Sequence, residues 1–204
     1  ASGAEYIIKT LVQAAADGDV IDGEYNVQTS DNQHCAIVQQ ASTRPFSKTG
    51  YDLFVIYGQS NSVGYAGSTD GFPENIYNIN SYFDNAANEL RPLKRSITSS
   101  SGDTSSGHAW QAFANEYTRQ TGRYVIILQC ALGGATIDEL KQGTTPYNQM
   151  LDSIGNLDTY CTSNNITINN RSVLWHQGEA DRDSTSQYYL DNILSHISDL
   201  SNID

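Results

Sequence analysis

Basic residues are scarce in this chain. Eleven Lys and Arg stand against 23 Asp and Glu in 204 residues, a formal net charge of −12. The basic residues are scattered rather than striped, and a surface of this sign repels phosphates, which argues against nucleic acid as a partner. No run of about 18 apolar residues occurs, so no membrane span is expected. Cysteine is limited to Cys35, Cys130 and Cys161, without Cys-x-x-Cys spacing. An odd count fits a non-disulfide protein better than a stapled secreted one, and Cys130, at the end of an apolar run, reads as a small core residue. The four histidines, His34, His108, His176 and His196, lack metal-motif spacing; no metal and no other cofactor is expected. The N-terminus shows no basic segment followed by an apolar core, so no signal peptide is visible.

What remains is polar but weakly charged. Hydrophobic residues make up 38% and charged residues 17%, with 13 Tyr against 5 Phe. The length suffices for one α/β domain with a real core plus a short extension. Tyrosine and amide side chains suit carbohydrate, which offers apolar ring faces and many hydroxyls, and they suit any extracellular surface equally well.

Along the chain, residues 6–16 carry apolar positions at helical spacing and stop at Asp17-Gly18-Asp19. Residues 25–38 read as strand and turn, broken at Ser30-Asp31-Asn32, and residues 41–50 as a connector. Residues 53–57 form an apolar run bounded by glycine, which reads as a buried strand. A long polar stretch then runs to Gly107. It contains a short strand candidate at 88–92 and a Ser/Thr/Gly cluster from Thr98, loop material of the kind that shapes a cleft. Helical periodicity covers 109–119, with Trp110, Phe113 and Tyr117 on one side, then 147–160, and finally 185–200, with Tyr189, Ile193, Ile197 and Leu200 in one stripe. Between them, 124–129 and 171–175 read as strands. Strands alternating with helices predict a parallel sheet with crossover helices.

The segment Gly58-Gln59-Ser60-Asn61 ends the first of these strands, where open α/β sheets place ligands. Small Gly58 and Gly64 let the backbone bend around Ser60. Two readings stand equal on this segment alone: Ser60 caps the next helix, or it is a nucleophile exposed on a strand-to-helix turn.

Two further segments, Gly133-Gly134-Ala135-Thr136 and Gln177-Gly178-Glu179-Ala180-Asp181, follow the other strands. Together with Gly58-Gln59-Ser60-Asn61, in this order, they resemble the SGNH (GDSL-like) hydrolase superfamily, in its carbohydrate esterase branch of sialate O-acetylesterases and acetylxylan esterases. The resemblance spans roughly residues 52–200. It implies a three-layer α/β/α sandwich with a mainly parallel sheet over 51–204, preceded by an extension or adaptor over 1–50. It also implies a serine O-acetylesterase acting on an acetylated polysaccharide or sialic-acid-like sugar. Ser60 would be the nucleophile. The oxyanion donors would be the Ser60 N–H, the N–H of Gly133 or its neighbour Gly134, and the Gln177 amide. Glu179 and Asp181 are expected to be structural, His176 packed away from the site, His108 near a helix cap, and His196 among core positions.

The chain departs from the family in one respect. The base should come from an Asp-x-x-His after one more strand, and neither follows the last helix. The expectation is therefore an incomplete site. A C-terminal remainder or a second copy would complete it, and this span alone would be a poor esterase with one sheet edge unpaired. The competing reading is a non-catalytic carbohydrate-binding or host-attachment domain on the same scaffold. The composition and the 50-residue preface resemble phage tail spikes, which implies an extracellular or virion-associated location.

Overall fold

The computed structural model describes residues 26–30, 33–37, 50–65 and 80–200. Strands β1 (Asn26–Ser30) and β2 (Gln33–Ile37) pair antiparallel as a separate two-stranded sheet. This matches the strand–turn reading of that stretch; the helix expected over residues 6–16 lies outside the described residues.

The main sheet contains β3 (Tyr51–Gly58), β4 (Ser81–Asp84), β5 (Glu89–Pro92), β6 (Tyr124–Gln129) and β7 (Ile168–His176), in the order β5-β4-β6-β3-β7. Only β5 runs antiparallel to its neighbour. Helices α1 (Ser60–Val63), α2 (Trp110–Thr121), α3 (Ile137–Leu140), α4 (Thr145–Ser163) and α5 (Ser186–Leu200) alternate with the strands. The one strand not anticipated is β4, which lies inside the stretch read as polar loop. It is short, and only Tyr82 and Phe83 carry its burial.

Alternation along each strand splits the core in two. On one face Leu53, Val55 and Tyr57 pack with Phe83, Ile126 and Leu128 beneath Met150 and Leu157 of α4. On the other, Phe54, Ile56, Tyr82, Val125 and Ile127 pack beneath Ala114 of α2. Phe54 meets Phe113 and Tyr117 edge-on, with ring centroids 4.8 and 5.0 Å apart. Helices on both faces of a mostly parallel sheet make the expected three-layer α/β/α sandwich. They explain why β3 and β6 are apolar throughout rather than alternating. Each fully buried Leu, Ile or Val stabilises the fold by about 1.5–3 kcal/mol.

A buried carboxylate locks the amino ends of the strands. Asp52 in β3 accepts hydrogen bonds from the Tyr117 hydroxyl at 2.5 Å, Asn170 Nδ2 at 2.8 Å and Arg123 Nη1 at 3.2 Å. Helix α2, strand β7 and the turn before β6 are thereby fixed to one point.

The β7 side is different. Among the described residues β7 pairs only with β3, and Asn169 to Ser172 are exposed. In α5 the anticipated stripe is only partly covered, because Ile197 is 52% exposed. The residue that α5 buries is His196, held between Trp175, Tyr57 and Tyr147 at centroid distances of 4.6, 5.7 and 6.2 Å. A groove of about 350 Å³ runs between β7, α4 and α5, lined in part by Val173, Trp175, Ile154, Ile197 and Leu200. The apolar stripe of α5 faces the space beside β7, where no described strand lies.

Candidate active site

Strand β3 hands over to α1 through a turn that only glycine permits. Gly58 has φ 138°, and a Cβ there would sit 2.1 Å from the His176 carbonyl oxygen. At the far end Gly64, φ 93°, leaves no room against His108, whose Cβ would be 2.4 Å away. The N-cap of α1 is Gln59, and Ser60 is the first helical residue. The capping reading of Ser60 therefore does not hold. Ser60 is half-buried, and among the described residues its hydroxyl has no hydrogen-bond partner and its N–H no acceptor. The helix beneath it is pinned: Trp110 Nε1 and Gln129 Nε2 donate to the Ser62 carbonyl at 2.8 and 2.9 Å, and Ser62 Oγ donates to His176 O at 2.9 Å.

The segment after β7 is bound directly to this turn. The Gln59 N–H donates to His176 O at 3.0 Å. Gln59 Oε1 accepts the N–H groups of Gly178 at 3.3 Å and Ala180 at 3.0 Å. Asn61 Nδ2 donates to Glu179 Oε1, which also lies 3.6 Å from His176 Nε2. His176 was expected to pack away from the site; instead its side chain is 54% exposed and faces Glu179. The reason is local: β7 is an edge strand at this end, and nothing described covers the ring.

The segments after β6 and β7 are tied together as well. Gln177 Nε2 donates to Ala135 O at 3.1 Å and to Asp181 Oδ2, while Gln177 Oε1 is buried without a partner. Asp181 is buried and accepts the Ile137 N–H at 2.8 Å, holding the start of α3. Asp181 thus has the anchoring role expected of it. The Gln177 amide hydrogens point at Ala135 and Asp181, so an oxyanion would have to displace one of these partners.

After β6 the chain stays against β3, with the Leu132 N–H on Gly58 O at 3.0 Å. The Gly133 N–H donates to Asp103 Oδ2 at 2.5 Å. Gly134, at φ 75°, is exposed, with open space around it and no acceptor for its N–H among the described residues. Tyr65 follows α1; its N–H reaches Ser60 O at 3.4 Å and its hydroxyl overlies Gly133. Partial burial and then the hydrogen bond to Asp103 push the Tyr65 hydroxyl up to about 12.

The other described histidines are elsewhere. His108 Nδ1 accepts the Trp110 N–H at 3.2 Å at the start of α2, as its sequence position suggested. Burial lowers the pKa of both His108 and His196.

The fold thus gathers Ser60, Gly133, Gly134 and Gln177 on loops at one end of the sheet, joined by short bridges. Four further residues belong to the cluster: Gln59, Asn61, Tyr65 and Asp103. Gln59 and Asn61 stood inside the Ser60 motif and could have been singled out as the polar residues flanking it. Asp103 sits in a Ser/Thr/Gly tract with no periodicity, which gave no signal.

Comparison with known proteins bears on this arrangement. A family model described as carbohydrate esterase, sialic acid-specific acetylesterase, matches residues 50–202. Among solved structures, a protein from Arabidopsis thaliana superposes with a TM-score of 0.59 at 21% identity, over 74% of this chain and 68% of that one, a likeness of fold. No curated protein sequence matches significantly. Neither match points to a tail spike.

Proposed function

Because the chain belongs to the carbohydrate esterase family of sialic acid-specific acetylesterases, we propose that it is a serine O-acetylesterase acting on an acetylated sialic-acid-like sugar or polysaccharide. The esterase unit is residues 51–204, with residues 1–50 as an extension or adaptor. It works outside the cell or on a surface, where it meets carbohydrate.

One observation carries the reading. Ser60 opens a one-turn helix at the end of β3, and the segments that follow β6 and β7 are hydrogen-bonded to each other and to that turn. In the proposed reaction Ser60 Oγ attacks the acetyl carbonyl. The carbonyl π pair moves onto oxygen, and the N–H groups of Ser60 and Gly134 receive the oxyanion. Preorganised donors of this kind contribute about 3–4 kcal/mol each. Collapse breaks the ester C–O bond, the sugar oxygen takes up the proton removed from Ser60 and leaves as a hydroxyl, and water then releases acetate from the acyl-serine.

The proton needs an acceptor, and His176 is the described histidine exposed at this end of the sheet. Glu179, 3.6 Å from Nε2, would orient the ring. This departs from the expectation that the base must come from outside the chain.

The test is acetate release from an acetylated sialic acid and from an aryl acetate. Ser60→Ala should lose at least about a thousandfold in kcat, and His176→Gln a comparable factor. Full activity in Ser60→Ala would place the chemistry elsewhere. Full activity in His176→Gln would return the base to a segment outside this chain. The competing reading, a binding domain without turnover, draws on the closed state of Gly133 and Gln177. It predicts sugar binding with no acetate released by the wild type.

A further inference from the structure

The Asp103 carboxylate is a charge without a cation. Among the described residues it makes no ion pair; instead it takes the Gly133 N–H at 2.5 Å and lies beside the Tyr65 hydroxyl, whose pKa it helps to raise. A backbone N–H and a phenol converging on one anionic group are the donor set of an oxyanion hole. They lie where the loop after β6 meets the turn that carries Ser60. The groups crowd one another: a Cβ on Gly133 would be 2.8 Å from the Tyr65 hydroxyl oxygen and 3.2 Å from Asp103 Oδ2.

We propose that Asp103 is an internal plug of the active site. Its carboxylate occupies an oxyanion seat formed by the Gly133 N–H and the Tyr65 hydroxyl, and catalysis at full rate requires it to leave. The inference rests on the esterase reading of Ser60. Two effects make the plug inhibitory. It withholds the Gly133 N–H and the Tyr65 hydroxyl, which would add to the donors of Ser60 and Gly134, and its own negative charge opposes the charge that develops on the carbonyl oxygen.

The plug can be withdrawn without unfolding anything. Asp103 closes a small turn that supports itself, with residues 100–102 at its tip. Ser99 N–H donates to Asp103 O at 2.7 Å, Gly102 N–H to Ser99 O at 3.0 Å, and Thr98 pairs with Thr104 as an isolated bridge. The base of the turn is fixed to the sheet through Ser100 N–H on Gln129 O at 2.9 Å. Those bonds use the backbone, so rotation of the half-buried Asp103 side chain alone clears the seat.

Acetate is the probe. On isotope-labelled protein, titrating acetate should shift the Gly133 amide resonance in Asp103→Ala and leave it unmoved in the wild type. Asp103→Gly, which also empties the seat, serves if the alanine variant fails to fold. A response in either variant but not in the wild type supports the plug. A response in neither, or an equal response in the wild type, overturns it. The kinetic arm is independent. Asp103→Ala should raise aryl acetate turnover at least about tenfold, since one oxyanion donor is worth about a hundred- to a thousandfold. That gain should vanish in Asp103→Ala/Ser60→Ala. A Ser60-dependent rate that falls instead would make Asp103 a structural anchor and sink the plug. Turnover that does not depend on Ser60 would sink the esterase reading, while the acetate titration still decides the seat.

Discussion

Strands β6 and β7 occupy equivalent places on either side of β3, and they could hardly differ more. Both run parallel to it and both pair with it from Tyr51 onward. In β6, Val125, Ile126, Ile127 and Leu128 are each 0% exposed, and β4 covers the far edge. In β7, Asn169 to Ser172 are exposed, and no described strand covers the far edge. Position in the sheet next to β3 does not determine burial; what lies one strand further out does. The candidate site straddles the divide. The end of β6 supplies Gly133 and Gly134 from a rigid half, and the end of β7 supplies His176, Gln177 and Glu179 from an open one.

The largest effect that could break this contrast is a core truncation. Leu128→Ala should cost about 3–4 kcal/mol, because the cavity it leaves is enclosed by β3, β4 and α4. Val173→Ala, on the half-buried wall of the β7 groove, should cost about 1 kcal/mol. Denaturant titration of both variants measures the gap; equal losses would mean that the β7 half is packed as tightly as the β6 half. Next comes Asp52→Ala, expected to cost about 2 kcal/mol by leaving Tyr117 and Asn170 without their acceptor. Its signature would be asymmetric. Amide hydrogen exchange should quicken in β7, which has one neighbour among the described residues, more than in β6, which has two. Uniform acceleration would show that Asp52 anchors the sheet as a whole.

The smallest predicted effect is on pH dependence. Burial keeps His196, against Trp175 on the β7 side, below its ordinary value of 6.5 in the folded state, although nearby Asp199 opposes the shift. Unfolded, it takes up a proton near 6.5. Stability is therefore unaffected above that pH, falls as the pH drops below it, and levels off below the folded value. His108 acts with the same sign from the α2 face. His196→Phe should flatten the fall in Tm on acidification below about 6.5; an unchanged slope would assign the effect to His108 or to the carboxylates.

Much of this contrast was legible in the chain. The apolar runs Leu53–Tyr57 and Tyr124–Gln129 announced two strands buried on both faces, and three motif segments after strands announced a site at one sheet end. The polar half of β7, Asn169-Asn170-Arg171-Ser172, carried the exposure too, but the strand reads only from Arg171 to Trp175, and its start at residues 168–170 gives no strand signal. What stayed hidden depends on contacts far apart in sequence. Strand β4 is too short for alternation to register. The exposure of His176 follows from the absence of a second neighbour of β7 among the described residues, not from its own alternation. Asp103 reaches Gly133 across 30 positions, from a tract with no pattern.

The account stands on Ser60 as the reacting atom's owner at the junction of the two halves. The most direct measurement treats the protein with an aryl acetate or a fluorophosphonate and maps the modified peptide by mass spectrometry. The predicted result is an adduct on Ser60, with buried Ser62 and the serines between Thr98 and Gly107 untouched. Release of acetate with Ser60 unmodified, or an adduct confined to another residue, would contradict it.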